Sequence, residues 1–150
     1  MLRVSKLTDY ATVVMTALAE AQVAGEGVLS AQDLAERAHL EAPTVSKLLK
    51  QLAQAALVES FRGVHGGYRL ARAPAQVSLA DIVIAMEGPF GMTECSAHVG
   101  ACDHESHCGV RGNWRRVSDV IETTLREITL AQMCRPQPRR LAIPVRLASA

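Results

Sequence analysis

The stretch APTVSKLLKQLAQAALVESFRGVHGGYRL, residues 42–70, decides the fold. In its first half Val45, Leu48, Leu49 and Leu52 recur three and four apart, the period of an α-helix with one apolar stripe. Pro43 suits the first helical position, where its missing N–H would be unpaired anyway. This helix runs to about Ala55 and leaves Thr44, Ser46, Lys47, Lys50 and Gln51 on its polar side. The second half changes period. Leu57-Val58-Glu59-Ser60-Phe61 alternates as a strand does, Arg62-Gly63-Val64-His65-Gly66-Gly67 is a glycine-rich turn, and Tyr68-Arg69-Leu70-Ala71 alternates again. A polar-flanked helix followed at once by a hairpin predicts a recognition helix and its wing.

Upstream, Ser30-Ala31-Gln32-Asp33 has the spacing of a capping box and opens a short helix with Leu34 and Ala38 inward. The four residues His39-Leu40-Glu41-Ala42 separate it from the next helix, which completes a helix-turn-helix. From Ser5 to about Ala21, Leu7, Tyr10, Ala11, Val13, Val14, Ala17 and Leu18 also keep helical spacing, and Gly25-Glu26-Gly27 reads as a loop. Downstream, Ser78 caps a helix with Leu79, Ile82, Val83 and Met86 inward, stopped by Gly88-Pro89. Residues 89–113 lack periodicity; a structureless segment of that length in a small domain points to function. Trp114 to Met133 is helical again, with Trp114, Val117, Val120, Ile121, Leu125, Ile128 and Ala131 on one stripe. The expected architecture is mainly α with a small β-hairpin wing. It comprises a winged helix-turn-helix at 1–88, a loop at 89–113, a long helix at 114–134 and a mobile tail at 135–150.

Composition narrows the function. The 150 residues suit one domain or one plus an appended element, and 49% hydrophobic residues supply a core. With 16 Lys+Arg against 15 Asp+Glu, the chain is not a globally basic nucleic-acid binder, although a local basic face is allowed. No run approaches 18 apolar residues, so no membrane span is expected, and MLRVSKLTDY lacks the features of a secretory signal. The expected compartment is the cytoplasm, where thiols stay reduced. No nucleophile–base pair, phosphate-cradling loop or paired carboxylates stand at usable spacing, so an enzyme is not expected. Gly66-Gly67 is a wing turn, because no helix follows it directly.

Two constellations carry chemistry. Cys95, Cys102 and Cys108 fall within fourteen residues, spaced C-x6-C-x5-C. Three thiolates on a glycine-punctuated loop can converge on one soft metal centre, either an iron–sulfur cluster or zinc. The absence of an x2 pair disfavours a zinc knuckle, while His98, His104 and His107 keep zinc open; a reduced loop or an occasional disulfide is the bland reading. Cys134, 26 positions beyond Cys108, reads as a free thiol. In the helix–wing unit, Lys47, Lys50, Arg62, Arg69 and Arg72 can meet phosphates, and Thr44, Ser46 and Gln51 can reach base edges. Arg62 and His65, on the glycine turn, belong to the wing surface, and Arg62 suits a minor groove.

The wing from Phe61 to Leu70, the opening Leu7-Thr8-Asp9-Tyr10-Ala11 and the three-cysteine loop together resemble the IscR/NsrR family of bacterial transcription regulators. The likeness spans about residues 1–134 and is strongest toward regulators of the SUF system of iron–sulfur cluster assembly. It implies a homodimer on double-stranded operator DNA, with the last long helix crossing the partner. It also implies a 2Fe–2S or 4Fe–4S cluster on Cys95, Cys102 and Cys108. The histidine that serves as fourth ligand in some members falls at Arg111 here, which closes that option. The acidic fourth ligand of other members, given by the partner subunit, matches Asp9, with His107 and His104 as substitutes from within the loop. The expected function is cluster-sensing repression of SUF genes. A nitric-oxide- or redox-responsive repressor of the same architecture and a zinc-stabilised interaction module are the alternatives.

Overall fold

The computed structural model describes residues 3–134, and the tail at 135–150 lies outside the described residues. Helix α1 (Lys6–Ala24) is capped by Ser5, whose hydroxyl accepts from the Thr8 N–H at 3.2 Å. It runs through the centre of the core, burying Ala11, Val14, Met15, Leu18 and Ala21. Helix α2 (Ala31–Ala38) opens on the expected capping box, Ser30 and Asp33 each bonding the other's backbone N–H at 3.0–3.1 Å. His39 ends it in the left-handed region at φ 52°. Helix α3 (Ala42–Gln54) starts one residue ahead of Pro43, so the break shortens to His39-Leu40-Glu41. Val45, Leu48, Leu49 and Leu52 are fully buried, as the periodicity requires.

Strands β1 (Val58–Phe61) and β2 (Gly67–Leu70) form the wing, paired antiparallel in the register Val58↔Leu70, Glu59↔Arg69, Ser60↔Tyr68 and Phe61↔Gly67. Each strand lies within one residue of the alternating runs. The wing is anchored at its base, where Leu29 and Tyr68 exchange backbone hydrogen bonds of 2.7 and 2.9 Å. A Cβ on Gly67 would stand 2.6 Å from the Leu29 carbonyl oxygen, so glycine is what admits this close approach.

Helix α4 (Leu79–Glu87) starts at the predicted Ser78 cap, which forms a capping box with Asp81, and packs on α1, α3 and α6. It buries Ala80, Ile82 and Val83, while Leu79 and Met86 are half-buried. Residues 89–113 are not wholly irregular: they contain the one-turn helix α5 (Glu94–Ala97) and a 3-10 turn at Glu105–His107.

The terminal helix departs most from expectation. Helix α6 (Arg111–Glu127) begins three residues early and stops before Ile128. There the chain turns extended: Ile128 accepts from the Leu79 N–H and Leu130 donates to Val77, both at 2.8 Å, and Thr129 bridges to Ser78. Thr129 then caps a separate one-turn helix, α7 (Leu130–Met133), which returns Leu130 to the core against α1. The Ser78–Thr129 bridge holds this extended turn, and Thr129 with Gln132 makes a capping box that starts a new helix.

Candidate nucleic-acid interface and cysteine loop

Burial of the apolar stripe of α3 fixes what its other side offers. Ser46, Lys47 and Lys50 are exposed and Thr44 is half-buried. At the wing, Arg62 and His65 are exposed beside Val64, which is 98% accessible at the tip. Lys47, Lys50, Arg62 and His65 join no ion pair among the described residues, so their donors face water. Arg69 is placed differently. Its guanidinium meets Glu59 across the strands at 2.9 Å and lies 4.7 Å from the centre of the Phe61 ring, so it shapes the wing first.

Gln51 does not share the exposed face. Its Oε1 is buried without a hydrogen-bond partner, at a cavity of about 490 Å³ between the end of α3, α4 and α6. Arg72 and Arg126 also line this cavity, 3.7 and 3.6 Å from the carboxylate of Asp81.

The cysteine loop joins α4 to α6. Cys95 is buried in α5, its Sγ 3.4 Å from the Thr93 hydroxyl, while Cys102 and Cys108 are half-buried. All are unpaired thiols. Two polar devices that periodicity does not reveal hold the loop. The Ser118 hydroxyl, buried on α6, accepts from the Met92 N–H at 3.0 Å and donates to the Trp114 carbonyl at 2.9 Å. Glu105 pairs with Arg111 at the start of α6 and accepts from the Gly100 N–H at 2.5 Å. His104 and His107 are exposed, the latter 2.7 Å from the Ser106 hydroxyl through Nδ1. Asp9 is exposed in the first turn of α1. Among the described residues, no three His, Cys, Asp or Glu side chains are gathered closely enough to hold a metal ion.

A winged helix-turn-helix joined to a thiol-bearing loop invites comparison with known regulators. Residues 4–136 match the model of the Rrf2 family, described as iron-dependent transcriptional regulators. The chain belongs to the Rrf2 family. It is 30% identical over 129 residues to the HTH-type transcriptional regulator IscR of Aliivibrio salmonicida, covering 85% of this chain and 76% of that one. The solved structure of T. potens IscR matches with a TM-score of 0.64 at 36% identity, over 88% of this chain and 85% of that one. CymR of B. subtilis, the global cysteine regulator, matches with a TM-score of 0.69 at 29% identity, over 89% and 97%. This Rrf2 protein is therefore a winged-helix, DNA-binding transcription regulator, and its relatives are regulators rather than enzymes. No helix among the described residues is long and apolar enough to cross a membrane.

One further contact in this Rrf2 protein links the start of α1 to the start of the cysteine loop. Glu87, the last residue of α4, accepts from the buried Thr8 hydroxyl and, at 3.1 Å, from the Ser5 N–H. The first turn of α1, which carries Asp9, is thus fixed to the point where the cysteine loop leaves α4. The Thr8 and Ser5 bonds favour the carboxylate and hold its pKa below the ordinary 4.5. Their stabilising effect is complete above that value and fades as pH falls through the lowered one. Sequence reading passed over Glu87 because its partners lie 79 and 82 positions away.

Proposed function

We propose that this Rrf2 protein is a homodimer that holds an iron–sulfur cluster, 2Fe–2S or 4Fe–4S, and represses the SUF genes of cluster assembly. One observation carries the reading: a single connection between α4 and α6 holds three unpaired thiols in a chain whose helix α3 and wing turn their cations to water. The donor set suits the group, since thiolate is the ligand type that selects iron–sulfur clusters. Cys95, Cys102 and Cys108 would supply the three sulfur ligands. Asp9 of the other subunit would supply the fourth, with His107 or His104 as substitute donors. When bound, the cluster supplies a redox- and ligand-sensitive centre.

The chain's own part is mechanical. Cys95 rides on α5, which packs on α6, and Cys108 stands three residues ahead of α6. Ligation of both with Cys102 restrains the start of α6 relative to α4, and α4 packs directly on α3. A change at the loop is thereby passed to the placement of the recognition helix. Two half-sites are read together only at one separation of the two recognition helices, so a small displacement changes operator affinity. On DNA, Lys47 and Lys50 would meet phosphates, Thr44 and Ser46 base edges, and Arg62 with His65 the groove beside the wing.

Protein purified without oxygen is expected to contain iron and sulfide, and to bind the SUF promoter in a gel-shift assay. Removing the cluster should change affinity within the range of about 5–150-fold that couplings between sites span. Iron-free protein with unaltered promoter affinity would overturn the proposal. The wing has its own test. Arg62→Ala should weaken binding about tenfold, the scale of one good groove contact, while visible absorbance stays unchanged. An unmoved affinity removes Arg62 from the interface.

A further inference from the structure

The polar cavity between the end of α3, α4 and α6 takes no part in the cysteine loop, yet its wall has the make-up of a binding site. Its volume of about 490 Å³ falls in the range of small-molecule sites. Helix α4 brings Asp81 to it and, one turn further along the same face, Ile84 and Ala85. Arg72 Nη2 and Arg126 Nη1 stand 3.7 and 3.6 Å from the Asp81 carboxylate, too far for hydrogen bonds. Arg72 donates through Nη1 to the Gln76 carbonyl, and Arg126 through Nε and Nη2 to Glu122. One nitrogen of each guanidinium, the one beside Asp81, therefore keeps its protons for another acceptor among the described residues. In the same wall Gln51 Oε1 is buried with no hydrogen-bond partner. Native structures rarely leave such an acceptor unanswered, and the soft terminal torsion of a glutamine lets it turn toward a donor in the cavity.

The wall thus offers both signs of charge to one occupant. A simple anion would suit Arg72 and Arg126 but meet Asp81; a simple amine would suit Asp81 and Gln51 but meet the guanidiniums. A zwitterion with its two charges one carbon apart avoids both conflicts, its carboxylate to the guanidiniums and its ammonium to Asp81 and Gln51. The apolar part of the wall, Leu57 with Ile84 and Ala85, takes what the zwitterion carries. Ile84 and Ala85 lie about 5.4 Å along α4 from Asp81, the reach of a short aliphatic side chain. We propose that this cavity is an effector site for a small aliphatic α-amino acid, and that its occupancy changes operator affinity. Gln51 and Ala55 belong to the end of the recognition helix, Leu57 leads into the wing and Arg126 lies on α6. An occupant therefore ties the DNA-reading helix to α4 and α6, and no cluster is needed for it to do so.

Calorimetric titration of the full chain with L-leucine tests the site. Saturable binding of one leucine per chain is expected. Isocaproate, which lacks the ammonium, and isoamylamine, which lacks the carboxylate, should each bind at least about tenfold more weakly, the scale of one lost hydrogen bond to a charged group. L-Serine, with no aliphatic arm, should also bind more weakly. Two variants place the site. Arg72→Gln removes a carboxylate partner, and Ala55→Phe fills the cavity from an exposed position. Both should lower leucine affinity by about tenfold with circular dichroism unchanged. In a gel shift on DNA that the protein selects from a random-sequence pool, saturating leucine should move affinity by about 5–150-fold, and should not move that of Ala55→Phe. Absent leucine binding, equal binding of serine or of either half-molecule, or full affinity in a folded variant overturns the site. Leucine binding that leaves DNA affinity unmoved overturns the effector role.

Discussion

Replacing Cys95, Cys102 or Cys108 by Ala is expected to abolish the visible absorbance and bound iron of protein prepared without oxygen, whereas Cys134→Ala leaves both intact. The contrast follows from position and from charge. The three loop thiols lie on one connection between α4 and α6, and loss of one direct sulfur ligand should cost more than the about 10–100-fold in affinity that loss of an outer-shell partner costs. Cys134 sits at the end of α7, its Sγ 3.8 Å from the Thr16 carbonyl. Burial, reinforced by the charge of Glu20, pushes its thiol up. A thiol in that state stays protonated at neutral pH and is a poor ligand. Metal and sulfide counts on the four variants make the check. Four equal losses would refute the ligand assignment, and one equivalent of zinc with no sulfide would replace the cluster by a structural metal.

Much of this architecture is legible from short-range signals. The Ser30–Asp33 and Ser78–Asp81 boxes mark two helix starts because each satisfies N–H groups that no other residue nearby can reach. The stripe of α3 and the glycine wing are likewise local. Failures come where a tertiary contact outweighs period. The apolar spacing of Trp114 to Met133 is continuous, but the chain breaks at Ile128 because the Ser78–Thr129 bridge and the burial of Leu130 gain more than another helical turn. The Thr129–Gln132 pair was a readable sign of this. Gln51 shows the opposite case. From the helix alone it belongs to the polar flank, and only the packing of α4 and α6 beside it turns its Oε1 into a cavity. For the site, the three cysteines announce themselves by crowding, whereas Glu105, Arg111, Ser118 and Glu87 act through partners that no periodicity connects.

The exposed stripe of α6 supports the second large effect: Val120→Glu is expected to yield a folded monomer that has lost operator binding. Trp114 and Val117 are each 42% accessible and Val120 is 66% accessible, three or six positions apart on one face. Val117, Val120 and Ile121 also line a shallow depression of about 340 Å³ with Asn113 and Arg116. Within one chain much of this apolar row still faces water, Val120 most of all. Pairing two copies removes it from water at about 25 cal/mol per Å², and symmetry counts each residue twice. A carboxylate at Val120 places two like charges at that seam, where desolvation is costly. The same change leaves the core untouched, so circular dichroism and thermal unfolding of the monomer should report an intact fold. Sedimentation should then show half the mass. Gel shift should show the loss of the second half-site, in the range of about 10²–10⁴-fold that linked binding contributes. A Val120→Glu protein that still sediments as a dimer and holds its promoter would place the subunit interface on another face. The proposed route from the loop through α6 and α4 to α3 would stand, but the separation of the two recognition helices would be set by that other face.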